Sequence, residues 1–570
     1  LTQQINQSDE HLHSSHSHSR KMASTQDVSM DGSLVDYAPF GSSTTTLSVH
    51  NEEETGITVA VGGNEPSGRY ILVAGRADEK DGVRLPIPAG VLKPGTTYRV
   101  AGWISLGAGA ARGTSHPVRI HLDVDDNGNE TLVECGALCA QEGAWTEIMG
   151  AFRLRTEPRS AAVYIHGAPA GVDVKVMDVR VFPVDHKARF RQLKDKTDKA
   201  RKRDVILKLG AGAAASVRVV QLDNAFPFGT CINTSVIQKP AFLDFFTNHF
   251  DWAVFENELK WYHTEAQQGQ LNYADADALL AFCDRQGKHV RGHCVFWSVD
   301  GDVQQWVKNL NRDQLRSAMQ SRLEGLVSRY AGRFKHYDVN NEMLHGRFFR
   351  DRLGDEDIPA YMFKEVARLD PEPALFVNDY NVERGNDPNA TPEKYAKQVA
   401  WLQGRGAVVG GIGLQGHVQN PVGEVIGAAI DRLAKTGVPI WFTELDVPEY
   451  NVSLRAKDLE VVLREAYAHP AVEGIVFWGF LQGTMWRENA WLVDADGTVN
   501  EAGQMFLNLQ REWKTDARGN VDGDGNFKFR GFYGRYIVEV TTATGKHMLK
   551  TFTVEKGDTD TPLLVDLSDA

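Results

Sequence analysis

Two carboxylates spaced two apart, Glu444 and Asp446, close the apolar run VPIWFTELDVPEY at residues 438–450. In a strand alternate side chains share a face, so Ile440, Phe442, Glu444 and Asp446 point one way while Trp441, Thr443 and Leu445 point the other. An ionised carboxylate taken out of water is costly unless paired, so a strand end that holds two of them needs a partner for both. Polar endings recur on six further runs. FENELKW carries Glu256, Asn257 and Lys260, RGHCVFW carries His293 and Trp297, and DVNNE carries Asn341 and Glu342. NDYN carries Asn378, Asp379 and Asn381, GLQGHV carries Gln415 and His417, and VFWGF carries Trp478, with Trp486 soon after it. One glutamate at a strand end is ordinarily a helix cap or an ion-pair partner. Seven such ends in succession imply a cleft.

The tryptophans indicate what that cleft takes. Ten of the twelve lie between Trp252 and Trp513. Trp401 and Trp441 fall where core packing is expected, but Trp297, Trp478 and Trp486 accompany the polar ends. A flat apolar ring offers its face to the C–H side of a sugar while Asn, Gln, Glu and Lys bind the hydroxyls, which suits a polysaccharide.

The elements that must position these residues are eight buried strand-like runs between 208 and 515, beginning with RVVQLDN and ending with EGIVFWGF, each followed by an amphipathic helical segment. Strand and helix alternating eight times predict a (β/α)8 barrel, an α/β fold that builds its site where strands end and loops begin. Residues 34–184 read differently, as short alternating runs punctuated by Gly, Asp, Asn and Pro, and predict an all-β sandwich. Within it DVDDNGNETLVE satisfies the EF-hand spacing at Asp123, Asp125, Asn127, Gly128 and Glu134. A calcium loop of that kind joins two helices, so a hairpin turn is the reading here. Residues 185–207 are dense in charge and predict a helical linker. Residues 516–570 return to short β runs and predict a small β-rich appendage to the barrel. Residues 1–33 read as a disordered tail in which His11, His13, His16 and His18 are solvated.

Composition narrows the partners. A net charge of −13 argues against nucleic acid, whose binding draws on clustered Lys and Arg, and no run approaches the length of apolar residues that a membrane span needs. The five cysteines, Cys135, Cys139, Cys231, Cys283 and Cys294, form no disulfide framework and no paired zinc spacing, so neither a metal nor another cofactor is expected. The amino terminus shows no apolar core of a secretory signal. The chain is expected to be cytoplasmic as synthesised, monomeric, and to act on wall polysaccharide after release.

Taken in order, FENELKW, RGHCVFW, DVNNE, NDYN, GLQGHV, FTELDV and VFWGF resemble glycoside hydrolase family 10, the retaining endo-β-1,4-xylanases. The resemblance implies an acid/base after strand four and a nucleophile at the end of strand seven, here Glu342 and Glu444. Retention needs two carboxyl groups about 5 to 5.5 Å apart, with one held protonated and the other ionised. It further implies that His417 sits between Glu444 and Asp446, and that Asn341 holds a sugar 2-hydroxyl. Lys260 and His293 should serve the same subsite and Glu256 and Asn257 the next sugar. Trp297 should contact the substrate, Trp478 and Trp486 should form walls, and Gln415 the floor. The expected partner is xylan or arabinoxylan. Residues 34–184 resemble a family 22 carbohydrate-binding module, with Arg76, Trp103 and Tyr164 as sugar contacts by position. Two rival readings are weighed against this one. A metal-dependent hydrolase on the same barrel would want His-x-His at the first strand, which VVQLDN lacks. A noncatalytic xylan-binding or inhibitor-like protein would have no need of both carboxylates.

Overall fold

The structure, a computed structural model, describes residues 35–37, 48–49, 58–65, 68–126, 129–210, 215–557 and 561–568. The expected tail with its four histidines lies outside them, as do Asn127 and Gly128.

The amino-terminal region folds as two antiparallel sheets. One runs Thr58–Glu65, Gly68–Ala74, Val174–Pro183, Thr97–Leu106, Thr146–Arg153, and the other Ser48–Val49, Val83–Ile87, Ser160–His166, Ser115–Asp126, Asn129–Gln141. Alternation along each strand puts Leu85, Val100, Ile120, Leu122, Val163 and Val181 into a shared core, which is how period-two sequences make a sandwich. The EF-hand-like stretch is a hairpin: Asp126 pairs with Asn129, Glu134 lies opposite His121 in the ladder, and Asp123 pairs with Arg84.

A helix follows, His186–Arg201, capped by Asp185, whose carboxylate accepts from the amides of Lys187 and Ala188. It stops six residues short of the expected end of the linker. Residues Lys202–Lys208 form a strand instead, because Val205 and Leu207 alternate into a core while their neighbours face out. That strand pairs with Asn526–Phe532 and Leu563–Asp566. RVVQLDN is likewise no barrel strand: Ser216–Asn224 pairs with Asp516–Asn520 and Gly534–Thr541. The carboxyl-terminal β runs therefore share their sheets with the segment just before the barrel.

The barrel proper has strands one to eight at Phe228–Ile232, Trp252–Phe255, His289–Gly292, His336–Asn341, Ala374–Asp379, Gly411–Leu414, Ile440–Leu445 and Val472–Phe477. All pairings are parallel, and strand three closes on strand four through Arg291 opposite His336 and Gly292 opposite Tyr337. Strand one, FGTCI, follows Pro227, is buried at every residue and shows no alternation. RGHCVFW is split between strand three and a two-residue strand, Phe296–Trp297, paired beside Asn340 and Asn341. Eight longer helices, one after each strand from Pro240–His249 to Glu501–Glu512, bury their apolar faces around the sheet. None of the helices among the described residues is long and apolar enough to cross a membrane.

Candidate active site

The carboxyl ends of the strands converge on two buried glutamates held by the same two amides. Strand five supplies Asn378: its carbonyl accepts from the Glu342 amide at 2.9 Å, and its Nδ2 donates to Glu444 Oε1 at 2.8 Å. Strand six ends in Gln415, which does the reverse. Its Nε2 donates to Glu342 Oε1 at 2.9 Å, and its carbonyl accepts from the Glu444 amide at 2.8 Å. Each amide thus fixes one glutamate by backbone and the other by side chain, so the two carboxyl groups cannot drift independently. Glu342 lies at φ +60°, a left-handed conformation that costs a non-glycine residue energy and recurs at functional sites.

The protonation states are pushed apart. Burial raises Glu342, two donated hydrogen bonds from Gln415 and Trp297 pull it back, and the nearby charges of Asp379 and Glu444 raise it again, leaving it at about 7. Glu444 is more deeply buried, which alone would raise it, but His293, His417 and Lys260 outweigh that and hold it down at about 2. Near neutral pH one glutamate carries a proton that it can give and the other is an anion.

His417 makes the anion tenable. Its Nδ1 meets Asp446 Oδ2 at 2.8 Å and its Nε2 meets Glu444 Oε2 at 3.3 Å. Burial disfavours the imidazolium, yet the two carboxylates raise it to about 9, so at neutral pH it donates to both. Asp446 accepts in addition from Trp486 Nε1 at 3.1 Å and Arg487 Nη1 at 3.3 Å. The turn that presents His417 passes through Gly416 at φ +83°, where a Cβ would stand 2.9 Å from the Phe442 ring. The carboxylates at the end of VPIWFTELDVPEY are thus bridged by one imidazolium.

The other site residues expected from the sequence gather around this pair. Trp297 Nε1 donates to Glu342 Oε2 at 2.8 Å, and Lys260 Nζ lies 4.8 Å from the Trp297 ring centroid while donating to Asn257 Oδ1 at 3.0 Å. Glu256 accepts from Asn233 at 2.7 Å. Asn341 Oδ1 accepts from Asn378 at 2.9 Å, which leaves the Asn341 amide nitrogen as its donor to a ligand. His293 packs edge-on to Trp478 at 5.3 Å and lies 3.9 Å from Glu444 Oε1. Trp486, 56% exposed, stands edge-on to His417 at 5.0 Å.

Two of the module residues go elsewhere. Arg76 is 3% exposed and its guanidinium donates to the carbonyls of Asp81, Pro169 and Val172, among others, so it staples loops rather than facing a sugar. Tyr164 is 1% exposed, stacked on His166, with its hydroxyl on the Lys80 carbonyl. Trp103 is half-buried on the other sheet.

The polar strand end places Asn378 in the cleft, but its double donation shows only when strands four, five and seven are assembled. Beneath the site, Asp338 bonds His293 Nδ1 at 2.8 Å and pairs with the wholly buried Arg291. Arg291 shares a strand face with His293, two residues on, and that period was the available signal. Asp338 was hidden by a register shift between Asp338 and Asn340. Behind Glu342, His345 bridges Asp379 at 2.6 Å and Asp387 at 3.0 Å and stacks on Tyr380 at 3.7 Å.

Among known proteins, the model of a carbohydrate binding domain matches residues 40–171, and that of glycosyl hydrolase family 10 matches residues 218–508. Endo-1,4-beta-xylanase 1 of Arabidopsis thaliana is 48% identical over 506 residues, which cover 88% of this chain and 53% of that protein. Endo-1,4-beta-xylanase 3 of the same plant is 48% identical over 514 residues, covering 88% and 67%. The chain thus spans from about half to two thirds of the length of these two relatives. A solved two-module CBM22–GH10 endo-1,4-beta-D-xylanase from Clostridium thermocellum superposes with a TM-score of 0.46 at 18% identity, over 83% of this chain and 96% of that one. By the extent of the family match and by these relatives, the chain belongs to glycosyl hydrolase family 10.

Proposed function

We propose that the chain is a retaining endo-1,4-β-xylanase that cuts internal β-1,4-xylosidic bonds of xylan or arabinoxylan by double displacement. The observation that carries this reading is the pair of glutamates clamped reciprocally by Asn378 and Gln415, one at about 7 and the other at about 2. Glu444 attacks the anomeric carbon as the bond to the leaving oxygen breaks, and Glu342 gives that oxygen its proton. Glu342, now ionised, then takes a proton from water, whose oxygen displaces Glu444 from the glycosyl ester, so the anomeric configuration is kept. Asn341 donates to the 2-hydroxyl, where contacts strengthen in the transition state. His417 neither gives nor takes a proton at the sugar. Its charge keeps Glu444 ionised and its two bonds fix the carboxylate plane. Lys260, His293, Glu256 and Asn257 hold hydroxyls of the bound units, with Trp297, Trp478 and Trp486 as apolar walls. The chain acts as a monomer, at the wall where its polysaccharide lies.

Anomer-resolved product analysis on xylan and on cellulose tests substrate and stereochemistry together. Products first released as the β-anomer, from xylan in preference to cellulose, support the reading. Initial α-anomer, or no cleavage of xylan, removes it.

A further inference from the structure

Asp446 joins the site to a second cavity. Arg487, which donates to Asp446, also lines a cavity of about 340 Å³ with walls from two parts of the chain. Gln419, Asn420, Tyr450 and Asn489 come from the loops after barrel strands six, seven and eight, and Arg153 and Arg155 come from the amino-terminal sandwich. The two walls are locked together. Arg153 binds Asp458 through both terminal nitrogens, at 2.5 and 2.8 Å, and lies 3.5 Å from Glu449, all with little exposure. The Glu449 amide in turn donates to the Asn489 carbonyl at 2.9 Å.

Within this rigid frame Tyr450 is 73% exposed, with the Arg155 guanidinium 5.6 Å from its ring centroid. The ring lines the cavity beside polar walls and offers a ligand a flat apolar face. Arg153 and Arg487 are committed to carboxylates, and Arg155 and Glu488 have opposite signs. What the cavity offers is an aromatic face and amides, the chemistry of a neutral pyranose ring rather than a uronate.

We propose that this cavity is a remote subsite, shared by sandwich and barrel, for a neutral β-1,4-linked pyranosyl unit of the chain being cut at Glu342 and Glu444. The proposal rests on the xylanase reading and adds to it a dependence on substrate length. Because both walls are pre-formed, the unit binds without ordering a loop.

The test compares the full chain with its Tyr450→Ala/Arg155→Ala variant on β-1,4-xylo-oligosaccharides of three and eight units. Both side chains are exposed, so the fold is kept. On eight units kcat/KM falls about tenfold through KM, the size of one lost aromatic contact with its polar neighbour, while on three units it stays within about twofold. Calorimetry of the eight-unit sugar with Glu444→Gln, with and without the double substitution, reads the same subsite without turnover. A weakened Kd supports the proposal even if the wild-type chain binds and does not cut, an outcome that would remove the activity alone. Equal losses on both lengths, or an unchanged Kd, overturn it.

Discussion

Trp297→Phe keeps an aromatic ring beside the acid/base and removes the indole N–H that binds Glu342 Oε2 at 2.8 Å. That bond favours the ionised carboxyl, so with it in place Glu342 stands lower than burial and its acidic neighbours would set it. A hydrogen bond to a charged group contributes about 1.5 kcal/mol at the low end of its range, and one pH unit corresponds to about 1.4 kcal/mol. Loss of the bond therefore moves the alkaline limb of kcat/KM up by about one pH unit from its position near 7. The acid limb, set by Glu444 at about 2, stays in place. Initial rates on an unsubstituted xylo-oligosaccharide are the assay, because a sugar leaving group needs the proton that an aryl leaving group does not. Trp297 also walls the cleft, so the height of the profile falls; the position of the limb is the readout. An alkaline limb that stays or moves down would refute the assignment of Glu342 as the proton donor.

Three further outcomes follow from the same electrostatics. A carboxyl whose folded pKa is raised destabilises the fold as pH climbs past the unfolded value, so Glu342→Gln stabilises the protein by about 2 kcal/mol more at pH 8 than at pH 5; thermal or urea unfolding at the two pH values measures it. Glu444 is the opposite case. Its depressed pKa contributes stability above the unfolded value that is lost as pH falls toward 2, so Glu444→Gln abolishes turnover, retains the fold and unfolds earlier at pH 7, which circular dichroism and activity check together. Arg153→Ala leaves the Asp458 carboxylate, 2% exposed, without its bidentate partner, and costs about 3 kcal/mol in urea unfolding.

What the sequence made legible was whatever leaves a local mark. A polar residue closing an apolar run marks a strand end that faces a cleft, and period-two alternation marks a half-buried sheet, so the barrel, the sandwich and the convergence of Glu342, Glu444, His417 and Asp446 were readable. FGTCI is short and carries Gly229 and Thr230 among its apolar residues, so it stands out less than RVVQLDN, whose alternation is clear. The partner of RVVQLDN lies beyond the whole barrel, at residues 516–541, and pairing over that separation has no local signature. Arg76 shows another limit: residue type gives a guanidinium's chemistry but not whether carbonyls or a sugar receive it. The double donation of Asn378 depends on three strands at once.

In the double displacement Glu444 becomes covalently bonded to the sugar while Glu342 does not. Incubation with a 2-deoxy-2-fluoro-xylobioside bearing a good leaving group slows breakdown of that ester, and peptide mapping by mass spectrometry then locates the adduct. One fluoroxylobiosyl group per chain is expected, on the peptide that holds Glu444. A label on Glu342, or inactivation without any adduct, would contradict it.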